Sequence, residues 1–287
     1  MIAIFKRELK SYFTTPIGYV FMGVFLLMSG IFFSLMNLLQ NDAEFTSVLN
    51  TIVFIFLFLV PILTMRTLSE EKKNKTEQLL LTSPLRVWDI VFGKFLASSV
   101  LFLITLLVTF IYPLIIKFNG YISPTEVLCT YIGFFLLGCS FISVGVFISS
   151  LTENQITSAI GTFGALLILW IMEWITQNIQ SGVKSGIIFA VILIAIIVFI
   201  INLTVKNPYF SGIVGIIGLL IILVIYFIKK SFFEGFIASF LNWFSVLIRF
   251  DSFSGGVFDI SSVVYYLSFI FVFLLLTVKS IDKKRWS

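Results

Sequence analysis

The residues that could do chemistry are few, and most lie in one passage, "EEKKNKTEQLLLTSP", Glu70 to Pro84, set between two long apolar runs. Six of its first eight residues are charged, and Leu79, Leu80 and Leu81 follow at once. A purely basic run beside a membrane would be a headgroup anchor. Here Glu70, Glu71 and Glu77 dilute the positive charge, and exposed leucines call for a protein partner. The passage reads as a docking element. Glu71 and Lys75 stand i,i+4 in the favourable order, which predicts a helix. Thr76 is placed to cap a second short helix, "EQLLLTS", that ends before Pro84.

Other chemistry is sparse. Glu173, in "WIMEWI", is the only carboxylate expected inside a span, and an intramembrane acid marks a functional site by default. Trp170 and Trp174 flank it, however, as in an interfacial aromatic belt, so an acid reaching the outer headgroups is the competing reading. Without His there is no histidine relay. Cys129 and Cys139 share one apolar segment at a spacing that excludes a disulfide, and two soft ligands make no metal site. No G-x-x-x-x-G-K-[ST] is present, so the chain has no phosphate-cradling loop of its own. "FSGGVF" at 253–258 reads as a flexible turn. Neither a catalytic residue nor a metal site is expected.

The elements that hold these residues are membrane helices. Of 287 residues, 59% are hydrophobic and 11% charged, against about 25% charged in a soluble domain; the mean hydropathy is +1.12. The net charge of +5 comes from Lys and Arg grouped at the ends of apolar runs, which orients helices and does not indicate nucleic acid. About 20 apolar residues cross a bilayer. On that criterion eight spans are expected, near 16–39, 48–65, 93–117, 126–150, 156–178, 185–204, 208–229 and 261–280, with Pro61 predicted to kink the second. Backbone satisfaction makes such a chain all-α, one transmembrane domain over 1–287. With the N-terminus inside, the inside segments hold 14 Lys and Arg and the outside segments 5, so both termini are expected in the cytoplasm. The first apolar run is too long for a cleaved signal and is expected to be retained.

Two segments are not expected to span. In "IFKRELKSYF", Ile4, Phe5, Leu9, Tyr12 and Phe13 share a face, which predicts an interfacial helix over 1–15 on the inner leaflet. Over 231–259 an apolar helical stripe from Phe232 to Ile248, followed by the loop "DSFSGGVFD", predicts an outer-face helix that lies in the membrane surface or dips into it. Gly145 with Ser149, Gly161 with Ala165, and Gly212, Gly215 and Gly218 are small-residue stripes. They allow close helix approach within the chain or at a subunit interface.

These residues resemble a known family. "MRTLSEEKKNKTEQLLLTSPLRVWDIVFGKFL", with its "TEQLL", "SP" and W-x-I-x-x-GK in order, resembles the segment after the second helix of bacterial ABC-2 type permeases. "SSLTENQITSAI" (149–160) resembles their turn between the fourth and fifth helices. The stretch from Arg249 to Trp286 resembles the end of the gliding-motility-associated branch. The resemblance implies an exporter permease in a bacterial cytoplasmic membrane. It would act as a homo- or heterodimer with two copies of a separate ABC ATPase, which would hold the ATP and Mg; no cofactor is expected in this chain. It also implies that 66–94 is the coupling segment, with Thr76, Glu77, Gln78, Leu79 and Leu80, up to Pro84, transmitting the ATPase movement. Arg66, Glu70 and Glu71 would form its charged approach, and 1–15 would be the elbow. The family plan has six helices, so 185–229 is an extra hairpin. Scarce intramembrane charge favours an amphipathic cargo, and the gliding-like tail an envelope partner, reached in one version through an accessory membrane protein. An ion-coupled secondary carrier is the alternative; it would need broken helices and paired charges at the midplane. An intramembrane enzyme would need clustered nucleophiles or bases, which are absent.

Overall fold

The computed structural model describes residues 1–40, 44–76, 86–119, 123–178, 182–205 and 208–285. All regular structure among them is helical. Among the described residues, six helical segments are long and apolar enough to cross a bilayer, against the eight spans expected: Pro16–Leu38, Thr46–Lys73, Val87–Phe118, Pro124–Leu151, Gln155–Thr176 and Ile260–Lys283. The chain forms two compact units, Met1–Leu169 with Val246–Ser287, and Trp170–Ser245.

The first unit begins with α1 (Ile2–Thr14) and α2 (Pro16–Phe33), the latter continued by a π-turn over Ser34–Leu38. Pro16 and Pro124 each stand at the first turn of a helix, where a missing N–H leaves nothing unpaired. The second span is built from α3 (Thr46–Ile52), a 3₁₀ turn at Val53–Ile55, α4 (Phe56–Thr64) and α5 (Ser69–Lys73). Pro61 lies inside α4, and the change of helix type comes before it, at Val53–Ile55. Next come α6 (Val87–Thr109), α7 (Ile111–Asn119), α8 (Pro124–Leu151) and α9 (Gln155–Asn178), of which the residues up to Leu169 belong here.

The core is aromatic. Phe25, Phe56, Phe102 and Phe134, from α2, α4, α6 and α8, are all at most 1% exposed. Their ring centroids lie 4.9 Å apart for Phe56–Phe134 and 5.3 Å for Phe56–Phe102. Helix α8 is the hub, because three of its glycines each admit a neighbour. A Cβ would stand 2.5 Å from the Phe253 ring at Gly133, 2.3 Å from the Phe102 ring at Gly138 and 2.2 Å from Thr64 Oγ1 at Gly145. The Gly145/Ser149 stripe is therefore a close approach of α4 to α8 within one chain.

In the second unit, α10 (Val183–Val205, 23 residues) and α11 (Pro208–Ile228, 21 residues) pack against each other. Gly215 and Gly218 of its small stripe face Val198 and Ile194 of α10.

The segment 231–259 is more broken than the sequence implies. A 3₁₀ turn (Lys230–Phe233) precedes Gly235, whose φ of 78° starts α12 (Phe236–Phe244). In the first unit, "IRFDSFS" is helix α13 (Ile248–Ser254), so the predicted loop is partly helical. The reason is burial of two phenylalanines. Phe250 packs 6.0 Å from Phe134, and Phe253 seats on Gly133 while its carbonyl accepts from Thr130 Oγ1 at 3.2 Å. Asp259 then caps α14 (Ile260–Arg285), accepting from the N–H groups of Ser261 and Ser262 at 3.0 and 3.1 Å.

Candidate functional site

The polar side chains of the first unit converge where α1, the turn after α4, the start of α6 and the end of α8 meet. Helix α1 was expected to lay its apolar face in lipid. Instead Ile4 and Tyr12 are buried, and Ile4 rests on Gly93 of α6, where a Cβ would come 3.3 Å from it. The opposite face, with Lys6, Arg7 and Lys10, is exposed.

That seat brings four charges into a closed ring. Arg7 donates to Glu8 and to Glu71, each at 2.7 Å. Lys94 Nζ stands 3.2 Å from Glu8 and 3.0 Å from Glu71. Signs alternate around the ring, and its members come from α1, α5 and α6. Lys94 is 1% exposed and also donates to the Thr67 carbonyl at 2.6 Å. An ammonium so deeply placed persists only when it is paired and hydrogen-bonded. Burial works against the charge on Glu8, yet Lys94 and then Arg7 outweigh it and hold the carboxyl below its ordinary range. Burial likewise opposes the charge on Arg7, and Glu8 and Glu71 overcome it, so its pKa is raised.

Neutral bonds extend the joint. The Tyr12 hydroxyl sits 2.8 Å from Ser98 Oγ and donates to the Leu63 carbonyl at 3.2 Å. Ser149 Oγ, at the end of α8, accepts from the N–H groups of Leu68 and Ser69, both at 3.1 Å. Lys72 Nζ donates to the Ser150 carbonyl. Arg66 forks onto Glu70 at 2.6 and 2.7 Å, a planar bidentate pair on the open side.

The structure therefore brings Arg66, Glu70 and Glu71 into one joint. The predicted Glu71–Lys75 helical pair does not form. Helix α5 ends at Lys73, Lys75 takes a φ of 56°, and Glu71 turns to Arg7 and Lys94. Thr76 closes that turn, its N–H and hydroxyl both directed to the Glu71 carbonyl, at 2.9 and 3.3 Å. Glu77, Gln78, Leu79, Leu80 and Pro84 lie outside the described residues. Glu173 lies in the second unit, half-buried, its carbonyl accepting from the Thr176 hydroxyl at 2.7 Å. Cys129 and Cys139 are both free thiols on α8. Among the described residues, no group of three His, Cys, Asp or Glu is placed to hold a metal.

Lys94, Glu8, Arg7 and Lys72 were not singled out from sequence as site residues, and Ser149 was read only as a small packing residue beside Gly145. The predicted third span began at residue 93, which made Lys94 a flanking charge. In fact α6 starts at Val87, and Lys94 is two turns inside. A lysine within a helical run is the signal that was there to be used.

The fold defines a polytopic all-α membrane protein in which ion pairs and hydrogen bonds join α1, α5, α6 and the end of α8. Residues 2–183 match the family described as ABC-2 family transporter protein, and the chain belongs to that family. The matched stretch holds every member of the joint, from Arg7 to Ser150. A comparison with curated proteins finds no match. Membership supports a role as a transport permease and implies an ABC ATPase partner and a membrane setting.

Proposed function

We propose that the chain is the permease subunit of an ATP-driven ABC-2 exporter, working as one of a pair with two ATPase subunits that carry ATP and Mg. ATP binding and hydrolysis in the partner push on the segment 66–94, and the helix bundle converts the push into opening and closing of a path. One observation carries the reading: the charged segment after the second span is rooted in a ring of four charges, closed around a buried Lys94, that ties three helices together. A merely solvated anchor has no use for such a root.

In this reading Arg66, Glu70, Glu71 and Thr76 form the foot of the coupling element, and Glu77, Gln78, Leu79, Leu80 and Pro84 its contact with the ATPase. Both termini face the cytoplasm of a bacterial plasma membrane. Of the 14 Lys and Arg assigned to that side, Lys72 and Lys94 are buried. Leaving them out still gives 12 against 5, a margin that supports the orientation. The cargo is amphipathic or envelope-related, and the tail from Arg249 supports the gliding-motility-associated branch. Glu173 remains an interfacial acid in this scheme.

The test is co-purification in mild detergent with a co-expressed ABC ATPase from the same genome, comparing wild type with Leu80→Asp and Glu77→Lys. Wild type should retain the ATPase and both variants should lose it. Failure of the wild type to retain it in several mild detergents overturns the reading and brings forward an ion-coupled carrier working through Glu173.

A further inference from the structure

The joint does more than root the coupling segment. Two of the four ring members, Arg7 and Glu8, belong to α1, and α1 runs directly into span one at Thr15–Pro16. That corner is tight, since a Cβ on Gly18 would stand 2.3 Å from the Tyr12 carbonyl oxygen. Tyr12 is itself pinned to Leu63 and Ser98. The coupling segment and the foot of span one are thus joined through charge at Glu71 and through hydrogen bonds at Tyr12, with Lys94 between the two carboxylates.

We propose that Lys94 and Glu8 are positioning residues that make α1 move as one body with the coupling segment, so that span one is an output arm of the machine. This rests on the permease reading above. The geometry supports it in two ways. Lys94 faces Glu8 of α1 and Glu71 of α5 from α6, with Arg7 as the only other ionic partner of the two acids among the described residues. In addition, the ring is enclosed on its Lys94 side and open on its Arg7 side, where the side chain is 52% exposed. Removing Lys94 therefore leaves Arg7 as the sole cationic tie across a solvent-facing edge, where ion pairs are weak.

The experiment uses the permease–ATPase complex in nanodiscs, with Cys129 and Cys139 replaced by serine. Spin labels are placed at exposed Lys6 and Lys73, and in a second sample at Lys6 and Lys279. Distances are compared between nucleotide-free and ATP-trapped states. In the wild type, Lys6–Lys73 should hold within about 2 Å, the scale of small interface shifts, while Lys6–Lys279 changes by more. Lys94→Met should broaden the Lys6–Lys73 distribution on ATP binding. Because Lys94→Met alone can fail to fold, Glu8→Gln/Lys94→Met is run beside it; it leaves Arg7 and Glu71 as a neutral pair and should broaden likewise. If Lys73 moves against Lys6 in the wild type, or if the double variant keeps the wild-type distances, the inference is overturned. Loss of the ATPase from the wild-type complex would instead overturn the permease reading, so the two failures are distinguishable.

Discussion

Replacing Lys94 with methionine removes one charge from a ring of four and leaves three helices to settle the difference. Glu8 and Glu71 are only 17% and 15% exposed, so each would lose a buried partner and the Thr67 carbonyl would lose its donor. Removing one partner of a buried ion pair costs about 3–5 kcal/mol. The lower end applies here, because Arg7 still reaches both carboxylates at 2.7 Å. The expected loss is about 3 kcal/mol, or a fall of roughly 6–12 °C in thermal midpoint at about 2–4 °C per kcal/mol. The assay is tryptophan fluorescence melting in detergent, and Trp88, stacked 6.3 Å from Phe92 on the same helix, is a local reporter.

Adding Glu8→Gln removes the excess negative charge, since Arg7 would otherwise face two carboxylates alone. The double variant should recover about 1–2 kcal/mol relative to Lys94→Met, within the 0.5–3 kcal/mol typical of residues sharing a network. Additive single effects would refute the claim that these two side chains meet. A Lys94→Met midpoint indistinguishable from the wild type would refute the claim that the ammonium is buried among charges.

Acidification tests the same ring from the other side. The carboxyl of Glu8 is held below its ordinary value of 4.5, so its contribution is fully present above that pH and is lost as pH falls through the lowered value. The wild type should therefore lose its advantage over Glu8→Gln only below about 4.5; a gap that narrows near neutral pH would contradict this. Ser149→Ala strips the acceptor from two buried N–H groups at 3.1 Å, which costs about 1–3 kcal/mol, and hydrogen exchange at Leu68 and Ser69 should speed up. Gly145→Leu drives a side chain into Thr64, whereas at Gly164 an added Cβ meets nothing within 4 Å. The first should melt lower by about 1–3 kcal/mol or more and the second should match the wild type, so equal effects would contradict the packing of α4 on α8.

Much of the architecture was legible because a run of about 20 apolar residues is a strong and local signal. That signal gave eight expected spans, of which six are long and apolar enough to cross among the described residues, while α1 was read from its apolar face. What was hidden depended on contacts distant in sequence. Periodicity shows that Glu71 and Lys75 share a helical face, but it cannot show that the chain turns over at Lys75 and that Glu71 prefers Arg7, 64 residues away. The rule that charge ends a span placed Lys94 at an edge, when paired acids let it lie inside. "DSFSGG" looked like a loop by its Ser and Gly content. Only the glycine opposite Phe253 on another helix explains why it is helical and buried. Small residues announced close packing at Gly145 and Ser149 but not the partner that approaches.

The division of labour between Phe and charge follows from what each interaction specifies. Apolar contact is non-directional, so the Phe25, Phe56, Phe102 and Phe134 cluster fills volume between spans and tolerates small rotations of each. A helix held only by such contact, as α1 would be by Ile4 and Phe5, can roll on its seat. The ring removes that freedom, because Arg7 and Glu8 are adjacent in sequence and must meet Glu71 and Lys94 at once, which only one azimuth of α1 allows. A buried ring gives no advantage in stability over well-packed apolar side chains of the same volume. Its distinctive effect is orientation of α1 against α5 and α6. Glu8→Leu/Glu71→Leu/Lys94→Met separates the two roles. A thermal midpoint restored to the wild-type value, together with a broadened Lys6–Lys73 distance, is the outcome this account requires. A midpoint restored with the distance unchanged would show that apolar contact alone fixes α1.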